Sequence, residues 1–250
     1  MKIDSFLTPF FPEKEKQFDD VIVLMVDVLR ASTTICTALH NGAKEVIPCE
    51  SLDKAVQIYS NLSKEVRFLG GERNGEKPSG FDAGNSPFEY TEENVAKKNV
   101  VLTTSNGTKT FQQAKNAKIR LIAGFVNLNS VLAFLEEKYL KDNEDQEICI
   151  LCAGTNGRLS YEDTLCCGAI IKLLKMNHKN VQLTDTADAA KNLYNLHSVD
   201  LQQFLKTKEH AVFLKNLGFE KDVDLALTFD KFPVVPYIEG SSIRKFTEDN

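Results

Sequence analysis

The chain has 250 residues, 42% of them apolar and 26% charged, close to globular averages and far from disordered or collagen-like sequences. A chain of this length can bury about three-quarters of its extended surface, so its core needs no disulfide or metal staple. Thirty basic against 35 acidic side chains leave a net charge of −5, which excludes a general nucleic-acid binder that must meet phosphate with a basic field.

The opening residues, MKIDSFLTPFF, carry Asp4 and Pro9 where a secretory leader needs an apolar stretch. The longest apolar run, Val21 to Val26, is too short to span a bilayer. A cytoplasmic protein is the expectation. Apolar runs at 21–26, 45–49, 66–69, 99–104, 119–123 and 147–152 predict strands. Stretches at 31–42, 51–62, 107–117, 127–140 and 160–176 lie between and after them, each opening near a small or polar residue and repeating apolar residues every three or four positions. They predict helices. Asn41-Gly42 is a helix stop, since glycine accepts the left-handed conformation. This rhythm predicts an α/β fold with a mainly parallel sheet, and the acidic stretch at 136–147 marks a boundary between two halves. Beyond residue 177, segments 183–197 and 198–218 predict two helices, with Thr184 or Asp185 and Ser198 as N-caps and Gly218 as a stop. The chain closes on the extended piece and small-residue loop KFPVVPYIEGSSIRKF.

Cys149 and Cys152 form a C-x-x-C inside EICILCAG, and with Cys36, Cys166 and Cys167 they lie among apolar neighbours. They read as small buried hydrophobes rather than a redox or zinc pair. The four histidines show no paired spacing: His40 precedes a helix stop, and His178, His197 and His210 fall in polar helical stretches. That argues against a zinc hydrolase. No P-loop, G-x-S-x-G elbow or dinucleotide fingerprint is present.

Polar clusters instead follow four of the strands: VDVLRAST, GGERNG, TTSNGTK and AGTNGRLSYED. Loops at the carboxyl ends of parallel strands are where open α/β sheets bind ligands, so one composite site on one sheet edge is expected. Backbone amides at small-residue corners suit an anion: Ser105, Asn106, Gly107 and Thr108 form one corner, Thr155, Asn156 and Gly157 another. Arg30, Arg73, Lys109, Arg158 and Arg244 each lie beside such a corner, and arginine makes bidentate contacts to phosphate, sulfonate or carboxylate. The runs VLTTSNGT and ILCAGTNGR echo one another, as duplicated strand–turn–helix corners would. Acids share these loops: Asp27, Glu72, Asp82, Glu162 and Asp163. A pure anion receptor gains nothing from them, whereas a phosphoryl site uses carboxylates to hold a hard divalent cation.

The segments VDVLRASTTI, GGERNG, GFDAGNSP, LTTSNGT, CAGTNGRLSYEDTLCCGAI and PYIEGSSIRKF resemble the 2-phosphosulfolactate phosphatase family, in its order and over nearly the whole chain. The resemblance implies a single phosphatase domain over 1–250 with a three-layer α/β/α fold. It also implies magnesium dependence, a homodimer, and hydrolysis of 2-phosphosulfolactate to sulfolactate and inorganic phosphate in coenzyme M biosynthesis. Such a substrate carries about three to four negative charges. On this reading Asp27, Glu162 and Asp163 hold magnesium (Mg2+) or orient water, and Arg30, Lys109 and Arg158 stabilise the transferring phosphoryl group. Ser32, Thr33, Arg73 and the two corners bind substrate, and Ser241, Ser242 and Arg244 close over its remote anion. Water is the expected nucleophile, with direct attack by Asp27 as the rival. A non-catalytic receptor for a phosphorylated or sulfonated metabolite is the alternative function.

Overall fold

The computed structural model describes residues 1–8, 18–111, 113–141, 143 and 145–248, with the backbone alone at Thr108 and Lys109. Its strands are β1 (Lys2–Phe6), β2 (Ile22–Val26), β3 (Glu45–Cys49), β4 (Arg67–Gly71), β5 (Asn99–Thr103), β6 (Ile119–Ala123), β7 (Glu147–Cys152), β8 (Gln182–Leu183), β9 (Pro236–Glu239) and β10 (Ser242–Lys245). Its helices are α1 (Ala31–His40), α2 (Leu52–Asn61), α3 (Glu92–Val95), α4 (Gly107–Phe111), α5 (Leu128–Leu135), α6 (Tyr161–Asn177), α7 (Asp185–His197), α8 (Leu201–Leu205), α9 (Glu209–Asn216) and α10 (Glu220–Ala226).

These strands form one sheet in the order β4-β5-β3-β10-β9-β6-β2-β7-β1-β8. Pairing is parallel within β4-β5-β3 and within β6-β2-β7-β1-β8. It is antiparallel at β3-β10, β10-β9 and β9-β6. The sheet is thus mainly parallel, as expected, but three successive reversals make the two parallel blocks run in opposite directions. The four polar loops therefore do not share one sheet edge. Five steps separate β5 from β2, and at about 20–25° of twist per step one block is turned by roughly 100–125° against the other. That rotation lets the carboxyl ends of the two blocks meet.

Both faces of the sheet are covered, and the sequence shows why. On β2, Ile22, Leu24 and Val26 enter one core with α5, α6 and α7, while Val23 and Met25 enter another with α1. A strand buried on both sides needs no polar alternation. Cys149 and Cys152 are three apart on β7, so they too face opposite cores, and all six cysteines are buried and unbridged.

The helices diverge from the pattern at three places. α4 ends at Phe111, well short of the expected 117. Ser198 closes α7 instead of opening a helix, and Thr184 caps α7 by accepting from Ala187 N. The single helix expected over 198–218 is broken into α8 and α9, where the Thr207 hydroxyl bonds back to Phe204 O at 2.7 Å. Such local bonds compete with the helical ladder. At the end of the chain the proline-flanked piece is a hairpin, with Gly240 at φ +59 in its turn. It supplies the antiparallel bridge between the blocks. Among the described residues no helix is long and apolar enough to cross a membrane.

Candidate active site

Asp27 follows β2 and is buried in the joint between the blocks. Its own chain fixes it: Asp27 N donates to Ser32 Oγ at 2.9 Å, Ser32 N donates to Asp27 O at 2.7 Å, and Ala31 N donates to Asp27 Oδ1 at 3.3 Å. Gly107, at the start of α4, lies against the carboxylate so closely that a Cβ there would sit 2.5 Å from Asp27 Oδ2. Ser32 and Thr33 thus fasten this loop, with Thr33 Oγ1 donating to Val28 O at 2.9 Å.

Two further acids converge through α6. Asp163 accepts from Val28 N at 2.8 Å with one oxygen and from Gly154 N at 2.9 Å with the other. It therefore staples the loop after β2 to the loop after β7. Neighbouring Glu162 accepts from His210 Nδ1 at 2.8 Å, and the same nitrogen lies 3.2 Å from Thr155 Oγ1. From the opposite block comes Glu72, buried after β4, which accepts from Ser105 N at 2.6 Å and from Gly75 N at 2.8 Å. Asn106 Oδ1 accepts from Asn156 N at 3.2 Å, which joins the block carrying β5 to the block carrying β7.

Charge crowding follows from this geometry. Burial pushes the Asp27 carboxyl up to about 7, and nearby Glu72 and Glu162 add to the rise against the opposing pull of His210 and the Ala31 amide. Asp163 is raised well above the carboxylate range by burial, with Asp27 and Glu162 contributing. Burial works against charge on His210, yet its bond to Glu162 and the charges of Glu162 and Asp27 prevail and raise its pKa.

Arg30 does not answer this negative charge in the way the sequence suggests. Its Nη1 donates to Asp222 Oδ2 at 2.8 Å, its Nη2 donates to Gly75 O at 3.0 Å, and its face covers Phe219 with 4.3 Å to the ring centroid. Asp222 also accepts from Ser86 Oγ at 2.8 Å. The guanidinium is a buried tie between α1, α10 and the loop after β4. Arg73 is similarly engaged, donating to Glu72 O at 2.7 Å and Thr103 Oγ1 at 2.9 Å. Arg158, by contrast, is exposed on its turn.

Asn-Gly turns also sort differently from the expected echo. Thr155 and Arg158 exchange backbone bonds across Asn156 (φ +53) and Gly157 (φ +75). Arg73 and Glu76 do the same across Asn74 (φ +54) and Gly75 (φ +83). Both are mirror-type two-residue turns, which need two consecutive positive φ angles and so favour Asn-Gly. Ser105-Asn106-Gly107 instead enters α4 directly. The twin corners are therefore RNGE and TNGR.

Ser241, Ser242 and Arg244 stand apart from the cluster. Arg244 donates to Glu45 Oε2 at 3.1 and 3.2 Å and to Glu239 Oε2 at 2.9 Å. Glu45 opens β3, level with the starts of β4 and β5 and a strand's length from Gly71 and Thr103, where the site's loops begin. Asp82 is likewise local, holding Leu69 N at 2.8 Å. The side chains of Thr108 and Lys109 lie outside the described residues. His210, Asp222 and Ser86 are the contributors that the sequence does not reveal, and Glu72 is one of the loop acids to which the motifs assign no role. No local spacing marks His210; it reaches the site only because α9 packs over the TNGR turn.

The whole-chain comparisons agree with the resemblance. Residues 8–241 match the family model for 2-phosphosulpholactate phosphatase. A probable 2-phosphosulfolactate phosphatase of Thermotoga petrophila is 44% identical over 213 residues, covering 85% of this chain and 87% of its own. One from Clostridium perfringens (strain SM101) is 38% identical over 246 residues, 98% of this chain and 96% of its own. Another, from Caldanaerobacter subterraneus, is 36% identical over 222 residues, 89% of each. With the α/β fold and its buried acid site, these matches define a phosphoric monoester hydrolase. The chain belongs to the 2-phosphosulfolactate phosphatase family.

Proposed function

We propose that this protein hydrolyses 2-phosphosulfolactate, or a closely related phosphorylated 2-hydroxy acid, to the free hydroxy acid and inorganic phosphate, with magnesium held at Asp27 and Glu162. The observation that carries the reading is the convergence of Asp27, Glu72, Glu162 and Asp163 in one buried joint, with Arg30 committed to Asp222. Crowded carboxylates of that kind fit a hard cation with oxygen ligands. Asp163 and Glu72 each engage both carboxylate oxygens with backbone amides, whereas the bonds described for Asp27 and Glu162 fall on one oxygen each, Oδ1 and Oε1, so these two are the better ligands. Among the described residues no group of three or more acidic, histidine or cysteine side chains is placed to hold a metal by itself. One or two carboxylates completed by water and substrate oxygens is the arrangement magnesium favours.

When bound, magnesium supplies charge neutralisation at the phosphoryl oxygens and a lowered pKa for water. The chain does the positioning. Ser32, Ala31 and Gly107 hold Asp27 in one orientation, and Asp163 and Glu72 lock the loops around it. Arg158, exposed on the TNGR turn, is a cation that can meet the substrate's anionic groups. Water adds across the P–O bond, its oxygen ending on phosphorus and a proton on the departing alcohol oxygen.

Purified protein is expected to release phosphate from 2-phosphosulfolactate with magnesium and to stop in EDTA. A panel of phospholactate, phosphoglycolate and 2-phosphoglycerate then ranks the substrates. Tight binding of these compounds with no phosphate release under any divalent metal would replace the enzyme reading with a receptor.

A further inference from the structure

The helical segment after β8 carries no motif, yet through His210 it brings a polar side chain to Glu162 and the TNGR turn. His210, on α9, is nearly buried, with its side chain 14% exposed against 3% for its partner Glu162. Its Nδ1 lies 2.8 Å from Glu162 Oε1 and 3.2 Å from Thr155 Oγ1. A carboxylate oxygen only accepts, so Nδ1 carries a hydrogen, and that one N–H spans an acid of α6 and a hydroxyl of the TNGR turn. Two elements are thereby fixed by a third that is remote in sequence. The surroundings favour a single arrangement: α9 is anchored through Ala211 and Leu214 in the main core, and the Phe213 and Leu217 side chains close on Gly75 of the facing RNGE turn.

We propose that His210 is a positioning residue of this site, which through Nδ1–H holds the Glu162 carboxylate and the Thr155 hydroxyl in the orientation that receives the metal and the phosphoryl group. This deepens the phosphatase reading and rests on it for the identity of what is received. The geometry is that of a partner orienting a ligand, and loss of such partners typically costs about 10–100-fold in metal affinity or activity. A side chain serving only as packing would instead change thermal stability and leave the site's own constants alone.

Substitutions separate these roles because asparagine places an N–H close to the position of histidine Nδ1, whereas glutamine places it near Nε2. His210→Asn, His210→Gln and His210→Ala are compared with the unaltered protein in three measurements. These are the melting temperature in EDTA, the rise in melting temperature on titrating magnesium, and the magnesium dependence of kcat and KM for 2-phosphosulfolactate. Expected is a magnesium half-saturation raised about 10-fold or more and a lowered kcat in the Gln and Ala variants, with most of both recovered in His210→Asn. Equal constants for His210→Gln and the unaltered protein overturn the proposal, and so does an Asn variant as impaired as Ala. If the unaltered protein hydrolyses nothing, the phosphatase reading fails, and the magnesium-induced melting shifts still judge His210. A shift kept by Asn and lost by Gln upholds its role, and no shift in any form overturns it.

Discussion

Asp27 is held where a carboxylate is costly, and this should show in stability as well as in turnover. Its pKa rises from the ordinary carboxylate value to about 7 on folding, mainly through burial. A raised acid stabilises the fold fully below its unfolded pKa, near 4, and that contribution is lost as pH climbs through about 7. Asp27→Asn should therefore melt above the unaltered protein at pH 8 in EDTA and close to it at pH 4. Calorimetry at the two pH values checks this, and an equal offset at both would contradict it. On the proposed mechanism the same variant should lose about 100-fold or more in kcat/KM, because it would remove a carboxylate charge from the magnesium site. Gly107 is the complementary test. An added Cβ meets Asp27 Oδ2 at 2.5 Å and Ala31 Cβ at 2.9 Å, so Gly107→Ala must displace the carboxylate. Misplacement on the ångström scale costs about 100-fold in rate, which steady-state kinetics will read.

The elements around the site are joined by polar ties more than by apolar contact. Arg30 and Asp222 are 2% and 3% exposed and sit 2.8 Å apart, tying α1 to α10. Removing one partner of such a pair leaves a buried charge unanswered, so Asp222→Ala should lower unfolding free energy by about 3–5 kcal/mol in urea titration. A loss under 1 kcal/mol would mean that water replaces the carboxylate. Asp163 acts in the same manner between the loops after β2 and β7, and Glu72 between those after β4 and β5. These ties were not legible in the sequence. The motifs VDVLRAST and YED pointed to a site, but nothing in the spacing distinguishes an acid that binds backbone amides from one that faces a ligand. Helix α1 and its Asn41-Gly42 stop were legible, because apolar residues recurring every three or four positions and a left-handed glycine are local properties.

On the scale of the whole molecule, the hairpin β9-β10 decides which loops can meet. It inserts two antiparallel strands between parallel blocks and thereby reverses one against the other. The resulting twist brings RNGE and TNGR to the same joint, and it leaves Arg244 on Glu45 and Glu239 at the far ends of the strands. Arg244→Ala should accordingly leave KM for the phosphorylated substrate within about twofold, since no uniform binding interaction is lost. A large rise in KM would return Arg244 to the site and would require a closed form in which the hairpin moves.

The sequence by itself determined the α/β class, six of the strands, the burial of the cysteines, and the membership of the chain in its family, since these depend on local periodicity and ordered motifs. Only the tertiary structure decided the antiparallel insertion, the recruitment of His210 and Asp222, and the pairing of Arg30 with Asp222. Each of these arises from pairing between residues far apart in the chain, where choice of partner is set by strand order and twist and leaves no trace in neighbouring residues.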